Sequence, residues 1–320
     1  MNSKIIFGVL NWGLGHASRS IPIIHELLEK GNEVIIASDS GALILLQKEF
    51  PNLKFYTLTP YNVNYKYMSI VINMISQALK INNAIKKEAK ELKKIIDIEK
   101  PDLIISDNRF GFSHKNIKTI FITHQLNIQH KNPLIKKLAN IINHHFIQKF
   151  DELWIPDFEG EKSIAGELSD CSMNIKHKYI GIQSNLKYHE LPKKYDICFI
   201  LSGPEPSRTK FEKIAIDLSI KSDKRILIIQ GKMDKNEEIY LQNNVILKSH
   251  TSGKELNDII NQSELIICRS GYSSVMDMVK LNKKAIFVPT PGQTEQEYLG
   301  EYLSKKGLYK SISQQNFKFS

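Results

Sequence analysis

The sequence predicts an α/β protein made of two consecutive domains, each with a mainly parallel sheet covered by helices. Short apolar runs alternate with amphipathic stretches along the 320 residues, which is typical of βαβ units. This alternation stops at a polar segment with Pro192, residues 184–194, and then begins again. We therefore divide the chain into an N-terminal domain, residues 1–184, and a C-terminal domain, residues 185–320. Because ligands of such sheets bind beyond the carboxyl ends of the strands, we expect a cleft between the domains.

In the N-terminal domain, short runs of apolar and β-branched residues between turn residues predict the strands. These are Lys4–Leu10, Glu33–Ala37, Leu53–Leu58, Asp102–Ser106, Thr119–Thr123 and Leu153–Ile155. Apolar residues that recur every three or four positions predict the helices. These are Ser18–Lys30, Ala42–Lys48 and a long stretch, Met68–Ile98.

The same two patterns predict the elements of the C-terminal domain. The strands are Asp196–Leu201, Arg225–Gln230, Asn244–Leu247, Leu265–Cys268 and Lys284–Val288. The helices are Phe211–Ser219, Lys254–Asn261, Ser273–Leu281 and Glu295–Lys305.

The composition favours a cytoplasmic protein. The three cysteines are odd in number and widely spaced, which argues against both disulfides and a zinc site. We find no signal peptide and no apolar run of about 18 residues. The net charge of +10 is spread over both halves and is interpreted as compositional bias. A patch that contacts the inner face of the cell membrane is the alternative, and nucleic acid is not an expected partner.

A glycine-rich turn, Gly13-Leu14-Gly15-His16, follows the first strand and opens a helix. Glycines there let the chain turn tightly beside a ligand. A dinucleotide site would need a third glycine, where this chain has Arg19 and Ser20. A histidine at the tip of the turn is expected to point into the cleft, and its pKa suits proton abstraction. We interpret His16 as a catalytic base; a polar or capping turn residue is the alternative.

Two turns of the C-terminal domain suit a phosphorylated sugar. The run from Cys268 to Asp277 places glycine and serines at a helix N-terminus, where amides and hydroxyls are ready to bind a diphosphate. Asp277 is either a ligand of two ribose hydroxyls or an ordinary complement to the helix dipole. The run from Pro289 to Glu297 carries paired donors and acceptors that suit sugar hydroxyls, and a turn with a helix cap is the alternative.

These motifs together resemble family 28 glycosyltransferases, a group that includes the MurG-type N-acetylglucosaminyltransferases and the plant monogalactosyldiacylglycerol synthases. The segments Cys268–Asp277 and Phe287–Tyr298 are similar to the donor-binding half of that family, and the Gly15-His16 turn to its N-terminal loop. Residues 60–180 carry no such resemblance. The resemblance implies the GT-B fold, in which two Rossmann-like domains have parallel sheets that face a cleft. The chain stops at Ser320, which leaves little length for the family's final crossing helix, so we expect truncation or a different closure.

The resemblance also implies roles for individual residues. The glycine and serines at 271, 273 and 274 are expected to hold the diphosphate, Asp277 the ribose, and the amide and carboxylate at 296 and 297 the donor sugar. Ser249 and the histidine after it lie where the family has the nucleotide base. Two prolines interrupt the phosphate loop around Gly203 and Arg208, which departs from the family's glycine-rich pattern. The donor-binding set is Gly203, Arg208, His250, Arg269, Ser270, Gly271, Ser273, Ser274, Asp277, Gln296 and Glu297.

Further residues lie on the same predicted rim as His16. Asp107 and His124 end predicted strands of the N-terminal domain. Asp107 is expected to orient His16 and to stabilise its protonated form, as the third member of a catalytic triad does. We predict His16 and Asp107 as catalytic residues. The acceptor-side loop is predicted from Gly13, Gly15, Arg19 and His124.

The predicted reaction is the inverting transfer of a sugar from a nucleotide-sugar donor, with UDP as the expected nucleotide, to an acceptor hydroxyl. Helix amides and Arg208 are expected to stabilise the diphosphate, so neither a metal ion nor a resident cofactor is predicted. The acceptor is an unidentified glycan or lipid-linked molecule, which suggests a role in the cell envelope. The Met68–Ile81 apolar stretch suits a lipid surface or a core-facing helix. Hydrolysis of the nucleotide-sugar and binding without catalysis are the alternatives, and an epimerase is disfavoured because its carboxylate set is not found.

Overall fold

The computed structural model describes residues 2–61, 76–232 and 237–318. It divides the chain into two compact units, Met1–Asn185 and Leu186–Ser320. Part of the predicted Met68–Ile98 helix, including most of its apolar beginning, lies outside the described residues. In the part of the chain that is described, no helix is both long enough and apolar enough to cross a bilayer.

The first unit has a parallel sheet of seven described strands in the order β3-β2-β1-β4-β5-β6-β7. The strands are β1 Lys4–Val9, β2 Glu33–Ser38, β3 Lys54–Thr57, β4 Leu103–Asp107, β5 Lys118–Ile122, β6 Glu152–Ile155 and β7 Lys176–Tyr179. The helices are α1 Gly15–Glu29, α2 Ser40–Glu49, α3 Ala78–Glu99 and α4 Pro133–Ile147.

Both faces of this sheet are covered by apolar side chains. On β1, Ile5 and Phe7 pack in one buried cluster with α1, while Ile6 packs in another on the opposite face. Successive strand residues point to opposite faces, so a continuous apolar run is what a strand needs when it is buried on both sides.

The second unit has seven described strands in the order β10-β11-β9-β8-β12-β13-β14, and only the β10–β11 pair among these strands is antiparallel. The strands are β8 Tyr195–Ile200, β9 Ile226–Ile229, β10 Glu238–Gln242, β11 Val245–Lys248, β12 Ser263–Cys268, β13 Ala285–Phe287 and β14 Lys310–Ser311. The helices are α5 Ser207–Ser219, α6 Gly253–Gln262, α7 Tyr272–Lys280 and α8 Thr294–Lys305.

Each sheet contains a point at which the order of strands reverses. In the first unit β1 lies between β2 and β4, and in the second unit β8 lies between β9 and β12. Connections on the two sides of such a point run over opposite faces of the sheet. They leave a crevice at the carboxyl ends of the two strands, where ligands of this class of fold bind.

The predicted fold class is confirmed, but three strands lie outside the predicted set. They are β7, β10 and β14. The side chains of β7 and β10 are mostly exposed at sheet edges, and β14 has two residues, so none carries an apolar run. Helix α5 begins at Ser207, whereas the predicted helix begins at Phe211. The prediction began too late because the first turn of the helix carries polar side chains.

Gly8 on β1 packs against a buried ring, and replacing it tests this packing. A Cβ at Gly8 would overlap the ring of Phe112, which is fully buried and has no space to move into. We expect Gly8→Ala to lower the free energy of unfolding by about 1–3 kcal/mol in urea denaturation. Gly41→Ala in α2 is the matched control, because its Cβ meets only ordinary contacts beyond 3.6 Å. Equal effects of the two variants would contradict this packing.

Candidate functional site

The site of the first unit lies at the reversal point between β1 and β4. Val9 on β1 pairs with Asp107 on β4, and Asp107 pairs with Ile122 on β5, so the carboxyl ends of these strands are level. After β1 the chain turns at Gly13, whose φ of 74° is in the left-handed region that favours glycine. Helix α1 then begins at Gly15, and His16 lies in its first turn.

The buried carboxylate of Asp107 contacts the side chains of His16, Arg19 and Ser20. Its Oδ1 lies 2.7 Å from Nδ1 of His16, and its Oδ2 accepts a hydrogen bond from Nε of Arg19 at 2.7 Å. Nη2 of Arg19 donates to Oδ1, and the Ser20 hydroxyl donates to Oδ2 at 3.0 Å. Asp107, Arg19 and Ser20 are all almost fully buried, so this ion pair is shielded from water.

Two groups meet at Nδ1 of His16: the Asp107 carboxylate, which only accepts, at 2.7 Å, and Nη2 of Arg19, which only donates, at 2.9 Å. The contact with Asp107 is the shorter one, and Nη2 of Arg19 also donates to Oδ1 of Asp107, so we assign the ring hydrogen to Nδ1. The neutral ring then has its lone pair on Nε2. An imidazole held in this tautomer by a buried carboxylate is the arrangement of a general base.

Arg19 joins His124 to the same cluster. Its Nη1 lies 3.0 Å from Nδ1 of His124, which is 4% exposed and follows β5. Because arginine only donates, Nδ1 of His124 is the acceptor and its proton is on Nε2. The structure thus brings His16, Arg19, Asp107 and His124 together.

The buried, charged surroundings lower the pKa values of Asp107 and His16. Burial alone would raise the pKa of Asp107, but the charges of Arg19 and His16 and their hydrogen bonds hold it well below its usual range. Burial lowers the pKa of His16 below 6.5, and the charge of Arg19 lowers it further, while Asp107 opposes both. At neutral pH Asp107 is therefore ionised and His16 neutral.

A second buried ion cluster is centred on Arg109, and the sequence motifs did not predict it. Fully buried Arg109 donates to Glu88 of α3, to Asp39 at 2.8 Å and to the Val9 carbonyl at 3.0 Å. Asn108, between Asp107 and Arg109, has a φ of 59°, in the left-handed region. The side chain of Asp107 lies in the His16 cluster, and that of Arg109 lies in the second cluster. Arg109 thus ties α3 and the loop before α2 to the end of β1.

The site of the second unit lies at the reversal point between β8 and β12. Cys268 on β12 pairs with Ile200 on β8 and with Phe287 on β13, so the loops after these three strands begin level. Helix α7 begins after Gly271, with a first helical hydrogen bond from Val275 N to Gly271 O and no acidic residue in its first turn. The amides before Val275 have no partner within the helix, so this end of α7 carries partial positive charge.

Arg269 adds a full positive charge behind this helix end. Its guanidinium donates to the carbonyls of Val288, Pro289 and Ser207 and to Oε1 of Gln314, and it lies 4.4 Å from the Phe211 ring centroid. None of these acceptors is a carboxylate, so these contacts leave the charge uncompensated. Burial lowers the pKa of Arg269 to about 10, which still leaves it charged at neutral pH. Its Nε is buried without a partner in the described part of the chain.

The residues that line this helix end leave space above it. A Cβ at Gly271 would meet no atom within 4 Å, and the φ of Gly271 is −67°, so neither packing nor backbone conformation requires glycine. Ser273, Ser274 and Asp277 follow on α7 and are half-buried. Gly203, on the loop after β8, has a φ of 103°, and its Cβ would lie 3.5 Å from Oγ1 of Thr290, a buried hydroxyl without a described partner.

Two predicted donor-binding side chains have partners within their own unit. Arg208 forms ion pairs with Glu205 and Glu212, so carboxylates of the same helix region offset its charge. The Ser270 hydroxyl is buried and donates to the carbonyl of Gln296 at 2.7 Å. Both residues hold loops in position.

Gln296 and Glu297 hold the turn that precedes α8. Oε1 of Gln296 accepts a hydrogen bond from Thr290 N, and Oε1 of Glu297 accepts one from Gly292 N, both at 2.9 Å. This is the turn with a helix cap that the sequence left open as the alternative. His250, half-buried, follows β11 on a separate loop, next to Ser249, whose hydroxyl accepts from Glu237 N.

The fold defines a class of protein: two Rossmann-type units in succession, each with a site at the reversal point of its sheet, as in the GT-B fold of glycosyltransferases. Residues 198–320 match the family model described as "Glycosyltransferase family 28 C-terminal domain". Residues 3–153 match the model described as "Glycosyl transferase family 1".

Similar proteins carry the same class of name. An uncharacterized glycosyltransferase of Methanosarcina mazei is 21% identical over 97% of this chain and 86% of its own. The UDP-N-acetylglucosamine–N-acetylmuramyl-(pentapeptide) pyrophosphoryl-undecaprenol N-acetylglucosamine transferase of Sulfurihydrogenibium sp. is 23% identical over 94% of this chain and 83% of its own.

Solved structures share the fold along almost the whole chain. The kitacinnamycin glycotransferase superimposes with a TM-score of 0.71 at 12% identity, covering 99% of this chain and 88% of its own. MurG of Acinetobacter baumannii superimposes with a TM-score of 0.58 at 11% identity and the same coverage. Residues 198–320 thus carry the C-terminal domain of glycosyltransferase family 28, and the chain is a glycosyltransferase with the GT-B fold.

Asp107→Asn tests the buried cluster of the first unit. The amide removes the charge that balances Arg19 and leaves a buried guanidinium unpaired, so we expect the free energy of unfolding to fall by about 3–5 kcal/mol. Urea denaturation measures this loss. Asp196→Asn is the matched control, because Asp196 pairs with the exposed Arg225 and its loss should be much smaller. Similar losses in the two variants would show that Arg19 does not depend on Asp107.

Proposed function

We propose that this chain transfers a sugar from a UDP-sugar to an acceptor hydroxyl, with inversion at the anomeric carbon and without a metal ion. The observation that carries the proposal is the 2.7 Å contact between Nδ1 of His16 and the buried carboxylate of Asp107. It leaves Nε2 of His16 as the proton acceptor, and the lowered pKa keeps the ring neutral at neutral pH. A general base needs this state before the reaction.

The second unit is proposed to hold the donor. The diphosphate accepts hydrogen bonds from the amides that open α7 and from the hydroxyls of Ser273 and Ser274, in the space above Gly271. Arg269, charged and uncompensated by a carboxylate in its contacts, adds favourable potential from behind the helix end. Asp277 binds the ribose. The turn held by the two side chains at 296 and 297 borders the donor sugar, and His250 lies beside the base.

The proposed reaction is a single displacement. The acceptor oxygen forms a bond to the anomeric carbon while the bond from that carbon to the phosphate oxygen breaks. The acceptor proton passes to Nε2 of His16, and the electron pair of the broken bond leaves with UDP. Asp107 remains ionised and stabilises the imidazolium, while the α7 amides stabilise the charge on UDP. Attack opposite the leaving group inverts the configuration.

The acceptor is proposed to be a hydroxyl of a glycan or of a lipid-linked molecule of the cell envelope, reached at the inner face of the cell membrane. The similar transferase of Sulfurihydrogenibium sp. carries an undecaprenol-linked acceptor in its name, which supports this choice. Hydrolysis of the donor differs in one observable: free sugar would accumulate from the UDP-sugar without any acceptor.

His16→Ala tests the base. We expect the rate of UDP release from UDP-sugars, in the presence of a lipid extract as acceptor source, to fall about 10²–10⁴-fold, because the acceptor proton has no base to receive it. UDP binding, measured by thermal shift, should be unchanged. His177→Ala, an exposed histidine on β7, is the control and should keep full activity.

The pH profile of the wild-type protein adds a check on the same base. Activity should fall as the pH decreases through the pKa of His16, which lies below 6.5, so the acid limb should lie below that value. Undiminished turnover in His16→Ala, or an acid limb above neutral pH, would falsify the assignment of His16.

Gly271→Val tests the donor site. Valine is compatible with the φ of −67°, and its Cβ meets no atom of the chain within 4 Å, so we expect the variant to fold like the wild type. The new side chain occupies the space assigned to the diphosphate. Saturating UDP, at about a hundred times its Kd, should stabilise the wild type by about 2.7 kcal/mol and the variant not at all.

Thermal shift with UDP measures this difference. Gly41→Ala in the first unit is the control and should respond as the wild type does. A wild-type protein indifferent to every uridine nucleotide, or a Gly271→Val variant that responds normally, would place the donor elsewhere.

A further inference from the structure

The described sheet of the second unit ends at strand β10. All five residues of β10 are exposed, and among the described strands β10 pairs with β11 alone. An edge strand presents unpaired N–H and C=O groups that can pair with another strand, and proteins often protect such an edge with proline or lysine. The strand β10 contains neither. A bulge at Leu241 ends its regular part, so residues 238–240 form the open edge.

Exposed apolar side chains are concentrated at this edge. Ile239, Tyr240 and Leu241 are 45%, 65% and 38% exposed. Ile220, at the end of α5, is 39% exposed and lies beside them, because the side chain of Gln242 donates to its carbonyl. These are four of the six large apolar side chains that are exposed in the described part of the second unit. Such a group marks a contact surface.

Ile239 extends the core of the second unit beyond β11. It pairs with Leu247, which packs in the buried cluster that contains Phe211 of α5. Residues directly opposite each other in an antiparallel pair lie on the same face of the sheet. The core face therefore continues onto β10 and stops at the edge of the described sheet. An apolar face that ends at an open edge resembles a core cut in half, which is typical of subunit interfaces.

The pairing with β11 shows which backbone groups of β10 point outward. The Glu237 carbonyl accepts a hydrogen bond from Ser249 N, so the backbone groups of Glu237 face β11. In an antiparallel pair the residues direct these groups alternately to one side and to the other. Ile239 therefore also faces β11, whereas Glu238 and Tyr240 direct an N–H and a C=O outward. Two copies that place Glu238 opposite Tyr240 gain four backbone hydrogen bonds.

Charge and register select a two-fold axis at Ile239. An axis at Glu238 would place two carboxylates directly opposite each other, which is destabilising. An axis at Tyr240 would extend the pairing past Leu241, where the register shifts. With the axis at Ile239, this side chain faces its own copy, and each Glu238 carboxylate faces a Tyr240 hydroxyl. Within one chain the same hydroxyl already donates to Glu238 at 3.4 Å.

We propose that β10 is a dimerisation edge that pairs antiparallel with β10 of a second copy of this chain. The axis at Ile239 joins the two sheets into one continuous sheet and brings the two apolar edges together. The site at the start of α7 lies between β8 and β12, and β8 is three strands from β10, so the pairing leaves that site open. The dimerisation does not depend on the proposed function. A contact of this small size should respond to protein concentration.

Sedimentation equilibrium of the full chain tests the proposal. The average mass of the wild type should rise from 36.8 kDa toward twice that value as the concentration increases. Ile239→Lys should remain monomeric, because two lysines would face each other across the axis. Its melting temperature should match that of the monomeric wild type, because the side chain is exposed. Leu308→Lys is the matched control: Leu308 is exposed in the same unit but outside β10, and this variant should dimerise.

A charge exchange tests the position of the axis. Ile239→Glu alone should also be monomeric. An equimolar mixture of Ile239→Lys and Ile239→Glu should form a mixed dimer, because opposite charges then face each other. Affinity capture of a tagged Ile239→Lys chain should therefore retain an untagged Ile239→Glu chain and not an untagged Ile239→Lys chain.

Four results would overturn the proposal. The first is a wild type that stays at 36.8 kDa at every concentration, and the second is a dimer that Ile239→Lys leaves intact. The third is a mixture of the two charged variants that stays monomeric, because residue 239 then does not face its own copy. The fourth is a melting temperature of Ile239→Lys several degrees below that of the wild-type monomer, which would show that Ile239 packs within the chain.

Discussion

Two backbone registers control where the chemistry of this protein lies. In the first unit Val9 pairs with Asp107, and in the second unit Ile200 pairs with Cys268. At both pairs the chain departs over opposite faces of the sheet, so the crossovers do not cover the carboxyl ends of these strands. Backbone hydrogen bonds therefore hold the following loops side by side, whatever side chains they carry. The side chains then give the two positions different chemistry.

The two positions use buried charge in opposite ways. In the first unit the charge of Arg19 is balanced by Asp107, which also orients His16, while burial and the charge of Arg19 lower the pKa of His16. In the second unit Arg269 is bound by neutral carbonyls, so its charge acts on whatever lies at the start of α7. A base must be unprotonated before the reaction and hold a fixed tautomer, whereas a site for an anion needs positive potential that no carboxylate of the protein cancels. The arrangement of partners around one arginine in each unit makes this difference.

Much of the fold and part of the site could be predicted from local pattern. The apolar runs at Lys4–Leu10 and Asp196–Leu201 predict strands buried on both faces, and the structure has β1 and β8 there. The strand β10 was not predicted because its side chains are exposed, so no apolar periodicity marks it. The position of Arg208 after the first strand of the domain suits a phosphate, but its pairing with Glu205 and Glu212 follows only from the fold.

The sequence by itself determined most of the strands and helices, the glycine turn before His16 and the glycine–serine start of α7, because each depends on residues close together in the chain. Only the tertiary structure decided which charges meet. Asp107 is 91 residues from His16, and Glu88 is 21 residues from Arg109, so no local pattern records either pairing.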